Sequence, residues 1–184
     1  MDRNAAALAI EAFLRALGRD PEREPELIGT GQRVAAAYAD ELLTGYGVDV
    51  DALLAPSVFA GSSEIVIVRD IPIATMCPHH LMPSEGTATV AFAPDEHLVG
   101  IGCVARLVEA YARRLALQEQ IGERVVATLQ KHVSPRWAAC RLTLNHACMT
   151  ARGERSHGAR VETLALSGGE VDELLVYSAV GMGR

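Results

Sequence analysis

The sequence predicts an α+β fold, and three observations predict it. Apolar residues recur at helical spacing near the N-terminus and again in the middle of the chain, two short stretches between those regions are β-branched, and the spacing falls to two residues toward the C-terminus. With 184 residues and 49% hydrophobic content, the chain can bury one sizeable core, so one domain is expected. Aromatic residues make up only 4%, so Ala, Val, Leu and Ile must supply that burial in many small contributions.

Ile10, Phe13, Leu14 and Leu17 fall on one helical face and Gly18 follows them, which predicts a helix over residues 4–17. After the turn-rich "RDPEREPELIGTG", Thr30 is positioned to cap a second helix carrying Val34, Tyr38 and Leu42 and closed by Gly45 or Gly47. "EIVIVRDI" (64–71) and "GTATVAFAP" (86–94) read as strands. Val104, Leu107, Val108, Tyr111 and Leu115 mark a third helix, and Ile121, Val125 and Leu129 a fourth. In "WAACRLTLNHACM" (137–149), Cys140, Leu142, Leu144, His146 and Cys148 share one parity and therefore one face of an extended strand. Residues 160–167 are its expected hairpin partner, and "GGEVDELLVYSAV" (168–180) a short terminal helix. The sequence carries no internal repeat, low-complexity tract or linker.

A net charge of −6 and a pI near 5.5 argue against a nucleic-acid binder, since phosphate backbones select broad basic surfaces. No stretch approaches the ~18–20 apolar residues of a membrane span, and "MDRNAAALAI" does not read as a leader, so a cytoplasmic protein is expected. Cys77, Cys103, Cys140 and Cys148 are then expected as thiols, with a metal role open for some.

The stretch "MCPHHLMPSEG" (76–86), between the two strand candidates, carries the most chemistry. Zinc favours thiolate and imidazole, and a catalytic zinc commonly keeps three protein ligands and one open position. Cys77 and His80 have the spacing of a two-ligand clamp, and Cys148 is available as a third donor from the two-residue-period strand, with His146 on the same face. Three alternatives stand beside that reading. The thiols can be plain core residues, a structural zinc can recruit Cys103, Cys140 or His79 as a fourth ligand, or a cysteine and histidine can form a hydrolase pair, for which the sequence offers no orienting partner.

Three separated motifs, "MCPHHLMPSEG", "LVGIGCVARLVEAYARRLALQEQIGERV" and "NHACMTARGE", occur in the order found in GTP cyclohydrolase I, and the chain resembles that family from about residue 8 to 167. The resemblance implies the tunnelling fold, an antiparallel sheet with helices on one side, preceded by N-terminal helices. It implies one cyclohydrolase domain over 1–184, with a helical part at 1–47 and a tunnelling-fold part at 62–184, assembled as a homodecamer that covers its sheet edges. It implies Zn2+ on Cys77, His80 and Cys148, catalytic histidines at His79 and His146, and recognition of the guanine edge by Glu119 with Gln118 beside it. Arg33, Arg106 and Arg152 match phosphate-binding arginines of the family.

The chemistry suits those residue types. Zinc lowers the pKa of a bound water toward neutrality, imidazoles titrate near the working pH as the purine five-membered ring opens and formate leaves, and a carboxylate accepts two parallel bonds from the guanine N1 and 2-amino donors. Four positions depart from the family pattern: Pro78 replaces a glutamate, Gly102 and Cys103 a serine-lysine pair, and Ala36 a lysine. In the family those groups face the ribose and triphosphate, and neither cysteine nor alanine replaces a lysine charge. The sequence thus also admits a paralogue that takes a differently phosphorylated guanine compound or stops at a pyrimidine product, and a non-catalytic purine binder. A relative of the same fold that uses a nucleophilic cysteine on a pterin or deazapurine is the remaining rival.

Overall fold

Asp2 starts the first helix, α1 (Arg3–Ala16), by accepting from the Ala5 amide at 3.0 Å, one of the donors a helix leaves unpaired at its N-terminus. Gly18 ends it at φ 78°, a left-handed conformation that glycine adopts without strain. The second helix departs from expectation. It is Gly29, at φ 75°, that precedes α2 (Thr30–Ala37), and Tyr38 and Leu42 lie in a π-helical turn, Tyr38–Leu42, so they do not continue the α-helical face of Val34. Thr30 is the first helical residue, and its hydroxyl accepts from Arg33 at 2.9 Å instead of capping an amide. Gly31 permits close approach of α2 to α1, because an added Cβ would lie 2.6 Å from the Ala7 carbonyl oxygen. These elements belong to one of two compact units, Met1–Thr44; the other is Gly45–Arg184. The structure, a computed structural model, describes residues 1–55, 58–59, 64–169 and 173–182.

The second unit begins with a short helix, α3 (Val50–Leu54), capped by Asp49, followed by β1 (Val58–Phe59). Next come β2 (Val66–Met76), β3 (Pro83–Ala93) and β4 (His97–Leu98), then two helices, α4 (Ile101–Ala112) and α5 (Gln118–Val133). The chain closes with β5 (Trp137–His146), a helical turn α6 (Ala147–Thr150), β6 (Val161–Gly168) and α7 (Glu173–Val180). The main sheet is antiparallel throughout, in the order β2-β3-β5-β6, and β1 pairs with β4 separately. The predicted terminal helix does not begin at Gly168, which is the last residue of β6; residues 170–172 within it lie outside the described residues, as do residues 62–63 and 183–184 of the predicted tunnelling-fold part.

β2 and β3 are longer than their sequence signals, because Pro72, Pro83 and Gly86 interrupt the β-branched pattern without interrupting the strands. β2 is an edge strand and Pro83 is the first residue of β3, the two placements in which a missing N–H is tolerated. Between Val68 and Ile71 the register shifts, with Asp70 at φ 53°.

One sheet face packs Val90, Phe92, Cys140, Leu142 and Leu144, all 0% exposed, against Val104, Leu107, Val108, Ile121, Val125 and Leu129 of α4 and α5. Each of the Val, Leu, Ile and Phe side chains among them contributes about 1.5–3 kcal/mol through burial. The two helices also share a polar contact: the Tyr111 and Thr128 hydroxyls lie 2.6 Å apart, and Thr128 donates to the Arg124 carbonyl at 2.7 Å. On the opposite face α7 packs Val176 and Val180 against Ala91, Ala93, Trp137 and Ala139, so the helices are not confined to one side.

Candidate active site

The β2–β3 hairpin closes through the turn 77–82. The Leu81 amide donates to the Cys77 carbonyl at 2.9 Å, and the Cys77 amide to the Met82 carbonyl at 3.0 Å, with Leu81 at φ 51°. The turn brings the Cys77 sulfur to 3.7 Å from His80 Nδ1. Cys148 reaches the same place from β5, whose ladder with β3 sets His146 directly opposite Ser84.

The strand does not extend to Cys148 as its parity predicts. It ends at His146, and the chain turns into α6, where the Thr150 hydroxyl donates to the His146 carbonyl at 3.2 Å. Even so, ligand atoms of Cys77, His80 and Cys148 all lie within 4.8 Å of one another, and no fourth protein donor joins them among the described residues. A tetrahedral zinc bound to sulfur and nitrogen separates neighbouring donors by roughly 3.5 Å, so the residues present fit such an ion with one position open. Burial, then the Cys77 charge and a hydrogen bond to Cys77, push the Cys148 thiol up, and Arg152 pulls it down. Two crowded sulfurs of this kind are a natural site for a cation.

His79 is exposed, its ring edge-on to His80 at 6.2 Å. His146 is half-buried between two partners, with Nδ1 at 2.8 Å from the Ser84 hydroxyl and Nε2 at 2.7 Å from Gln118 Oε1. Burial pushes its pKa below the ordinary histidine value, and the nearby Glu119 carboxylate opposes that. Gln118 is only 3% exposed, and its amide nitrogen reaches the Leu142 and Val161 carbonyls and the Thr163 hydroxyl. Glu119, beside it in the first turn of α5, is exposed and lines a cavity of about 420 Å³ with Glu123 and residues 163–166 of β6.

The arginines are dispersed. Arg152 is exposed near Cys148. Arg106 donates to the Gly102 carbonyl at 3.4 Å, lies 3.4 Å from the Cys103 sulfur, and lines a separate cavity of about 720 Å³ with Arg113 and Arg160. Arg33 belongs to the first unit, where its guanidinium engages the Ile28 carbonyl and the Thr30 hydroxyl, each at 2.9 Å. Sequence reasoning missed Ser84, whose proximity to His146 follows from a register that no local pattern reveals. Arg114 donates to the Gly45 and Ala110 carbonyls and stacks over Tyr111 at 5.0 Å.

Residues 6–175 match the family model of GTP cyclohydrolase I. A GTP cyclohydrolase 1 from Bartonella henselae is 39% identical over 163 residues, covering 87% of this chain and 78% of its own length. The Chlorobaculum tepidum protein of that name is 40% identical over 161 residues, covering 87% and 71%, and that of Leifsonia xyli 38% over 169 residues, covering 91% and 87%.

Proposed function

Because the chain belongs to the GTP cyclohydrolase I family, we propose that it opens the guanine imidazole ring of GTP by hydrolysis, releases formate and forms 7,8-dihydroneopterin triphosphate. The observation that supports this most directly is the convergence of Cys77, His80 and Cys148 beside the two histidines of the matching motifs. A zinc ion held by those three residues would supply Lewis acidity and a water ionised near neutral pH.

The chain's own groups divide the rest of the work. Glu119 accepts the N1 and 2-amino hydrogens of guanine, a bidentate pattern that adenine cannot offer. Its position at the start of α5, next to the Gln118 that contacts His146, holds the purine ring near that imidazole. His79 and His146 supply and remove protons as the ring nitrogens change valence. Arg152 and Arg106 carry the charge complementary to the phosphates. Phosphate binding is where the altered residues concentrate: Cys103, at a lysine position of the family pattern, offers a sulfur to Arg106 instead of a cation to substrate.

The test uses purified zinc-loaded protein with GTP, GMP and guanosine, following formate and pterin fluorescence separately. Formate and fluorescent product from GTP are the expected result. Formate without fluorescence reassigns the enzyme to a pyrimidine product, preference for GMP or guanosine reassigns the substrate, and no formate from any of the three refutes ring opening. Loss of formate release in His146→Ala, with zinc retained, separates an enzyme from a purine binder.

A further inference from the structure

The hydrogen bonds around His146 determine which ring nitrogen carries a proton. Gln118 Nε2 lies 3.1 Å from the Leu142 carbonyl oxygen and 3.0 Å from that of Val161. Carbonyl oxygens only accept, so the amide NH2 must occupy that end and the amide oxygen must face the imidazole. The oxygen, 2.7 Å from Nε2, only accepts as well, so Nε2 carries a hydrogen. In the neutral ring Nδ1 is then the acceptor, and the Ser84 hydroxyl, 2.8 Å away, is its donor.

We infer that Ser84 is a positioning residue for His146. Its hydroxyl and the Gln118 amide clamp the imidazole in one orientation and one tautomer, which leaves the Nδ1 lone pair as the position where the ring takes up a further proton. The two sides of the clamp are unequal. Gln118 is held by two main-chain carbonyls and the Thr163 hydroxyl at 3.2 Å, so it cannot turn away. The Ser84 hydroxyl rotates about a single bond, is 1% exposed, and has His146 as its hydrogen-bond partner among the described residues. Buried from solvent, it is not readily replaced by a water. The cross-strand register places Ser84 directly opposite His146, so the contact is built into the ladder and does not depend on a loop.

The catalytic consequence rests on the role proposed above for His146, whereas the tautomer does not. The experiment therefore has two arms on the zinc-loaded protein. In the first, 15N-histidine labelling and solid-state NMR, with His146→Gln to assign the resonances, should show a protonated Nε2 and a hydrogen-bonded, unprotonated Nδ1. Ser84→Ala should shift the Nδ1 resonance. In the second, Ser84→Ala and Ser84→Cys should each lower kcat for formate release by roughly 10- to 100-fold, the range seen when an orienting partner is lost. KM should stay within about twofold, and Ser84→Thr, which keeps the hydroxyl, should restore most of kcat. A neutral ring that carries its proton on Nδ1 instead of Nε2 in the wild type overturns the inference, as does an Nδ1 resonance unchanged in Ser84→Ala and Ser84→Cys. Normal NMR in a protein that releases no formate refutes the proposed reaction and leaves the clamp standing.

Discussion

Replacing Gly86 by alanine should disturb both the sheet and the site. An added Cβ would lie 2.0 Å from the Thr143 carbonyl oxygen and 3.0 Å from its carbonyl carbon, both main-chain atoms of the neighbouring strand. The first contact is about 1.4 Å inside an ordinary 3.4 Å approach, and no side-chain rotation relieves it. β3 and β5 must therefore part locally, against a normal spacing of about 4.7–4.9 Å. Overpacking of this kind costs about 1–3 kcal/mol, which for a chain of this size lowers the melting temperature by roughly 2–12 °C. Gly86 pairs with Leu144, and two residues along the same ladder Ser84 pairs with His146, so the displacement reaches the imidazole. A misplacement of about 1 Å at a catalytic group can cost about 100-fold in rate. Thermal unfolding followed by circular dichroism, together with formate release, measures both effects. Gly158→Ala, where nothing lies within 4 Å of the added carbon, is the control. Wild-type melting and wild-type formate release in Gly86→Ala would refute the reasoning.

Three further perturbations test other parts of the structure. Cys148→Ser should lower bound zinc well below one per chain by elemental analysis, and chelation should abolish formate release and lower the melting temperature; full stoichiometry in the variant contradicts the ligand set. Burial pushes the Cys140 thiol up to about 12, so in native protein at pH 8 iodoacetamide should leave it unmodified and label it only in denaturant, as read by peptide mass spectrometry. Hydrogen bonds from Lys131 and His132, and more weakly their charges, hold the Asp51 carboxyl below its ordinary 3.8. A depressed carboxyl stabilises the fold above its unfolded pKa and loses that contribution as pH falls through its folded pKa. The small stability difference between wild type and Asp51→Asn, measured by urea unfolding, should be present at pH 7 and shrink below pH 3.8.

Two-residue parity identified Cys140, Leu142 and Leu144 as one face because a strand packed on one side repeats its environment at every second position. The same parity failed two residues after His146. Nothing in "NHACMT" distinguishes a continuing strand from a helical turn, and the turn forms where β3, the pairing partner, begins. Cys77 and His80 were legible because three-residue spacing is local, whereas their convergence with Cys148 depends on the β3–β5 register. Gln118 shows the limit from the other side. Its place next to Glu119 was readable, but its amide is absorbed by strand carbonyls and by His146, partners 24 to 43 residues away.

Leu81 gives the ligand turn a thermodynamic character of its own. A non-glycine residue at φ 51° costs roughly 1–2 kcal/mol, and this one sits one residue beyond His80, inside the turn that begins at Cys77. Without an ion, the hairpin tip holds its donors together against a local preference to unwind, so it should exchange its amide hydrogens ahead of the strands it joins. An ion that binds only the closed form contributes about 2.7 kcal/mol at a hundredfold excess over its dissociation constant, more than the backbone conformation costs. Occupancy and closure would then be a single equilibrium, and metal supply would set how much of the protein carries a formed tip.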